Sequence, residues 1–164
     1  MDFFSRSPEQ TRRVGRRLGA VLETGDVICL QGDLGAGKTT FVQGVAQGWG
    51  SLDSVSRPTF ILVNVYRRED QSRVRVTPPL LFHVDAYRLD SVPEAEELDL
   101  DSMLTQGALL IEWPERMNGL IPSERLWVNL EYVDEEEREM KFKSSGERYD
   151  ELLDVIRHGT FGGD

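Results

Sequence analysis

Gly32, Asp33, Leu34, Gly35, Ala36, Gly37, Lys38 and Thr39 stand in the order G-x-x-x-x-G-K-[ST]. Residues of these types at this spacing bind phosphate. Glycines let the backbone curl so that successive N–H groups point into one concavity, and a helix opening near Lys38 adds the positive end of its dipole. The lysine ammonium reaches the outer phosphates of a nucleotide, and the Thr39 hydroxyl takes a place on magnesium. Thr40 follows directly. Such a pattern also occurs by chance, but here an apolar run, "VICLQ", leads into it and an amphipathic segment, "KTTFVQGVAQGWG", leads out. That is the strand–loop–helix setting the chemistry needs.

Holding phosphate is not yet a reaction. Hydrolysis or transfer also needs a carboxylate that organises magnesium and a group that orients the attacking oxygen. Asp85 follows "LLFHV" and Glu112 follows "ALLI", so both fall at the carboxyl ends of expected strands, where open α/β sheets carry their functional groups. Glu112 is the more telling, because an acid between a buried apolar strand and Trp113-Pro114 has no core role. His83 reads as a packed or hydrogen-bonded strand residue, Trp113 as a packing residue, and Cys29 as core.

These groups must be positioned by the elements around them. "SPEQTRRVGRRLGAVLE" reads as a helix, with a capping box from Ser7 and Gln10, Pro8 at the first position, and Val14, Leu18, Val21 and Leu22 on one face. In the helix after the loop, Phe41, Val45 and Trp49 point inward, and Gly48 or Gly50 lies near its end. "TFILVNVYR", "RVRV", "LLFHVDAYRL" and "GALLIEW" are expected as extended segments. "PEAEELDLDSML" is an acidic helical stretch with Glu94, Glu96 and Glu97 near its start. "RLWVNLEYV" sets Leu126, Val128, Leu130 and Tyr132 against Trp127, Asn129 and Glu131, pairs with "EMKFKSS" as a hairpin, and leads to a last helix, "ERYDELLDVIRH", with "GTFGGD" as a frayed tail. The plan is α/β: a P-loop NTPase fold with a largely parallel central sheet flanked by helices and an added antiparallel hairpin.

The 164 residues suit a single domain, 1–164, and no repeat or linker divides them. The composition, 39% hydrophobic and 29% charged, supports one substantial core. No apolar run approaches membrane-spanning length. The amino terminus lacks the pattern of a signal peptide and Cys29 is the only cysteine, so a cytoplasmic location is expected. A formal net charge of −10 argues against gripping nucleic acid across a broad surface, since such binding relies on Lys and Arg neutralising phosphates. Any RNA is expected to be held by a partner.

"GDLGAGKTT", "RPTFILVNVY", "HVDAYRL" and "IEWPERM", in that order and at this length, resemble the TsaE (YjeE) family, small bacterial ATPases required for making threonylcarbamoyladenosine beside the tRNA anticodon. The resemblance runs from about Pro8 to the final helix. It implies that ATP is bound by Gly32, Leu34, Gly35, Ala36, Gly37, Lys38, Thr39 and Thr40, with magnesium on Thr39 and Glu112. It further implies that Asp85 is a second acidic element near phosphates and metal, that Thr59 lies in a switch segment near the γ-phosphate, and that Thr11 lies near the base. Lys38, Asp85, Glu112 and Thr59 form the implied catalytic set. Two positions depart from the family pattern: Arg57 stands where a serine is usual, and Arg138 in "EEERE" is the counterpart of a family Gly-Arg pair. The implied partners are TsaD and TsaB, which carry out the modification and which ATP hydrolysis resets between turnovers. The implied free protein is a monomer or weak oligomer.

The alternative is a small P-loop kinase acting on a metabolite. Such enzymes close an arginine-bearing lid over the phosphates, whereas Arg116, Arg125 and Arg138 are scattered. A GTPase switch would carry an N-K-x-D segment, which the chain lacks.

Overall fold

The computed structural model describes residues 1–55, 63–69, 77–87, 89, 96–117 and 119–161. The expected strand "RVRV", the start of "TFILVNVYR", Arg57, Thr59 and Glu94 lie outside them. The described chain forms seven strands: β1 (Asp2–Ser5), β2 (Val27–Gln31), β3 (Val63–Tyr66), β4 (Leu80–Asp85), β5 (Gly107–Glu112), β6 (Arg125–Tyr132) and β7 (Arg138–Ser145). Four α-helices accompany them: α1 (Pro8–Gly19), α2 (Lys38–Trp49), α3 (Leu100–Gln106) and α4 (Glu147–Phe161).

One sheet takes the order β1-β7-β6-β2-β5-β4-β3. The central strands β6, β2, β5 and β4 are parallel neighbours. Antiparallel strands flank them, β3 on one edge and β7 followed by β1 on the other. Parallel strands are covered on both faces, which is why their sequences read as continuous apolar runs; all six residues of β5 are buried. Alternate side chains divide two cores. Ile28, Leu30, Leu110, Leu126, Val128 and Leu130 meet α1, α2 and α4 on one face. Val27, Cys29, Leu109, Ile111 and Val84 meet α3 and a 3-10 turn, Pro114–Met117, on the other. No helix among the described residues is long and apolar enough to cross a membrane.

Several local expectations are met and others shift. The Ser7 hydroxyl caps α1 by accepting from the Gln10 N–H, while the Gln10 side chain accepts from Arg6 N–H rather than from Ser7. Helix α1 ends at Gly19, so buried Leu22 reaches the core from beyond the helix. Helix α3 begins at Leu100, because Asp99 caps it by accepting from Ser102 N–H; Glu96 and Glu97 therefore precede it. Helix α4 runs on to Phe161, further than the expected frayed tail. Strand β1 was not expected from the sequence; it pairs with β7, and the terminal ammonium of Met1 donates to the Phe142 carbonyl at 3.0 Å. Tyr132 is 58% exposed rather than inward, its ring lying beneath the Arg138 guanidinium.

Helices α1 and α2 approach so closely that glycines line the seam. A Cβ on Gly19 would fall 2.0 Å from the Val45 carbonyl oxygen, and one on Gly44 would fall 2.3 Å from that of Arg12. This seam fixes α2, and hence the phosphate loop at its start. Gly44→Ala is mid-helix, where alanine gains about 1 kcal/mol in propensity. Backbone oxygen cannot yield 2.3 Å without moving a helix, and overpacking of this kind costs typically 1–3 kcal/mol. A net loss of stability is expected, read as a lower urea midpoint. A raised midpoint would mean that the helices are not this close.

Candidate functional site

The phosphate loop joins the end of β2 to the start of α2. Gly35 and Gly37 have φ of 83° and 99°, a left-handed conformation that L side chains rarely adopt. The turn closes through Ala36 N–H donating to the Asp33 carbonyl at 3.0 Å, and Phe41 N–H donates to Gly37. Lys38 is buried, and its Nζ donates to the carbonyl of Gly32 and, at 3.4 Å, to that of Asp33. The ammonium also lies 4.0 Å from the centroid of the Trp113 ring. Burial lowers the lysine pKa, and the negative charges of Glu112, Asp85, Glu115 and Asp33 oppose that shift. The charges of four carboxylates therefore act on this ammonium.

Asp85 and Glu112 sit opposite each other in the β4–β5 register, at the carboxyl ends of both strands. Glu112 also pairs with Leu30 across β5 and β2, two residues before the loop's first glycine. The sheet thus brings both acids to the loop. Asp85 accepts from Tyr87 N–H at 3.0 Å, yet burial raises its pKa, with the Glu112 charge adding to the rise. Glu112 is buried, and its Oε2 lies 2.6 Å from His83 Nε2. His83 is buried too, and its Nδ1 lies 2.9 Å from the Tyr66 hydroxyl.

Arg138 reaches back from the hairpin. Its Nη2 donates to the Gly35 carbonyl at 3.2 Å, and its side chain would meet a Cβ on Gly37 at 3.4 Å. The late hairpin is thereby attached to the phosphate loop. Trp113 takes φ of 57° and packs its ring against Tyr87, with centroids 4.9 Å apart. From sequence Trp113 reads as packing and His83 as a packed or hydrogen-bonded strand residue, and His83 is indeed hydrogen-bonded; nothing in their spacing singles out the ammonium or the carboxylate they touch.

The other expected residues fall as follows. Leu34, at the loop tip, is 63% exposed. Thr39 and Thr40 occupy the first turn of α2. Thr11 is buried, its hydroxyl 2.7 Å from that of Ser5 and 3.4 Å from the Ser7 carbonyl, so its side chain is engaged within the α1 start. Thr59 lies outside the described residues.

The donor set fits magnesium. A threonine hydroxyl and one or two carboxylates are the hard oxygen ligands the ion takes, with substrate phosphates and water supplying the rest. Among the described residues no three His, Cys, Asp or Glu side chains form a metal cage.

Comparison with known proteins gives a consistent result. The sequence profile of TsaE, "Threonylcarbamoyl adenosine biosynthesis protein TsaE", matches residues 5–140. A tRNA threonylcarbamoyladenosine biosynthesis protein TsaE from Bacillus subtilis is 38% identical over 154 residues, covering 93% of this chain and 91% of that protein. The protein of the same name from Streptomyces coelicolor is 39% identical over 121 residues, covering 73% and 78%. A crystal structure of Bacillus subtilis YdiB superposes with a TM-score of 0.75 at 31% identity, covering 97% of this chain and 95% of that one.

Proposed function

This chain belongs to the TsaE family of tRNA threonylcarbamoyladenosine biosynthesis, and from that premise we propose that it is a magnesium-dependent ATPase that acts on the TsaB–TsaD pair and resets it between turnovers. A nucleotide-binding P-loop is common to the family and the fold. The observation that carries the finer reading is the convergence of one buried lysine and two strand-end carboxylates on the phosphate loop.

The loop amides and the Lys38 ammonium bind the triphosphate. Lys38 exchanges its carbonyl partners on Gly32 and Asp33 for phosphate oxygens, so that both donor and acceptor are charged. Thr39 and Glu112 would hold magnesium, which would supply neutralisation of phosphate charge. Asp85, adjacent to Glu112 and drawn toward its protonated form by burial, is placed to accept a hydrogen bond from, or donate one to, water near that ion. Thr59 contributes from the switch segment, and Thr11 lies near the base. The acidic surface leaves tRNA to the partners, in the cytoplasm where tRNA is modified.

Free protein is expected to turn over slowly and to speed up when the TsaB–TsaD pair is added, because catalysis here depends on positioning. Pull-down and phosphate release with that pair test this. Fast hydrolysis by the chain alone, unchanged by TsaB and TsaD, would contradict it. Free phosphate released in proportion to ATP consumed, with no acceptor present, separates hydrolysis from a kinase.

A further inference from the structure

His83 is the one buried histidine among the described residues, and both of its ring nitrogens are engaged. Tyr66, His83 and Glu112 come from the neighbouring strands β3, β4 and β5. They project on the sheet face that α2 covers, in line with Leu81, Ala108 and Leu110. An ionised carboxylate can only accept, so the 2.6 Å contact requires the proton on Nε2. In a neutral imidazole Nδ1 is then an acceptor, and the Tyr66 hydroxyl donates to it across 2.9 Å. The result is a directed chain, Tyr66 O–H to His83 to Glu112, that ends on the acid beside the phosphate loop.

From this we infer that His83 is a positioning residue: its Nε2–H holds the Glu112 carboxylate in one rotamer, and Tyr66 fixes the imidazole. The inference rests on the reading of Glu112 as the magnesium-side carboxylate. A glutamate at a strand end has three side-chain torsions. Tethering one of its oxygens removes most of that freedom, and the tether is itself packed at 3% exposure. The same bond also satisfies a buried N–H, so the kinetic readouts below are what separate positioning from packing. Partners that orient metal ligands in this way typically change metal affinity or activity by about 10–100-fold when removed.

Two readouts test it. Imidazole ¹⁵N shifts of the nucleotide-free, metal-free protein report the proton directly. Nε2 protonated and Nδ1 unprotonated is the expected result, and a ring protonated on Nδ1 would overturn the assignment. In ATPase assays, His83→Leu is expected to lower kcat by about 10–100-fold with little change in KM for ATP. His83→Gln, whose amide can place a donor near the Nε2 position, should recover much of the loss. Tyr66→Phe should give a smaller decrease, with Nδ1 left unpaired. Thermal melts of each variant separate these effects from unfolding. An unaltered kcat in folded His83→Leu would sink the inference while leaving the ATPase reading intact. A parent protein without ATPase activity would instead count against that reading, and the ¹⁵N shifts would still decide the hydrogen-bond chain.

Discussion

Lys38→Ala is expected to abolish measurable ATP turnover, a fall of about 10²–10³-fold or more, by analogy with removing one preorganised charge-stabilising donor. Among the described residues the ammonium is the only cation shown against the loop carbonyls of Gly32 and Asp33, and the charges of four carboxylates oppose the lowering of its pKa by burial. Without the ammonium, the negative charges of Asp85 and Glu112 are expected to repel a triphosphate on the loop. Two effects compete in the stability of this variant. Alanine loses the contacts to the two carbonyls and to the Trp113 ring, but it also removes a desolvated ammonium, which is costly to bury. The fold is therefore expected to survive, with cooperative melting retained. Nucleotide titration and phosphate release on the folded variant check the prediction. Parental ATPase activity would overturn the assignment of the site.

Glu112→Ala is expected to leave some ATP binding, because the amide cradle remains, and to remove most hydrolysis, because the ion's placement is lost. The His83 contact adds a second consequence. Alanine leaves a buried Nε2–H without an acceptor, which costs about 1–3 kcal/mol. For a chain of this size that is a fall in Tm of roughly 2–12 °C. Glu112→Gln keeps an acceptor oxygen and so should lose hydrolysis with much less loss of stability. The pair of variants separates the carboxylate's charge from its structural bond. Equal melting of the two would mean that His83 does not depend on Glu112 in solution, and full hydrolysis by either would remove Glu112 from the mechanism.

The parts legible in the sequence were those with a strict local pattern. The loop spacing fixed both the end of β2 and the start of α2, and the apolar runs at Val27 and Gly107 marked strands buried on both faces. The alternation in β6 correctly set Leu126, Val128 and Leu130 inward, but it was extended one step too far. Beyond Leu130 the strand leaves the region covered by helices, and Tyr132 instead takes Arg138 across the hairpin. Strand β1 has only four residues, too few to show a period, and exists through pairing with a segment about 140 residues away. Nothing in the local pattern explains Gly44 inside α2, because only the packed pair of helices shows that backbone lies against it.

The site divides in the same way. Asp85 and Glu112 could be placed at strand ends from sequence, but their lateral pairing depends on β4 lying beside β5. His83 behind Glu112, Trp113 against Lys38 and Arg138 on Gly35 are contacts between residues that local patterns cannot relate. Each became visible only when the sheet order was known.

The most direct measurement is a crystal structure of the chain with magnesium and a nonhydrolysable ATP analogue. The triphosphate is expected against the Gly32–Thr39 amides with Lys38 Nζ on its outer oxygens. The ion is expected within reach of Thr39 and Glu112, with Asp85 beside it. A triphosphate bound elsewhere, or one on the loop with Asp85 and Glu112 both distant from it, would contradict the account.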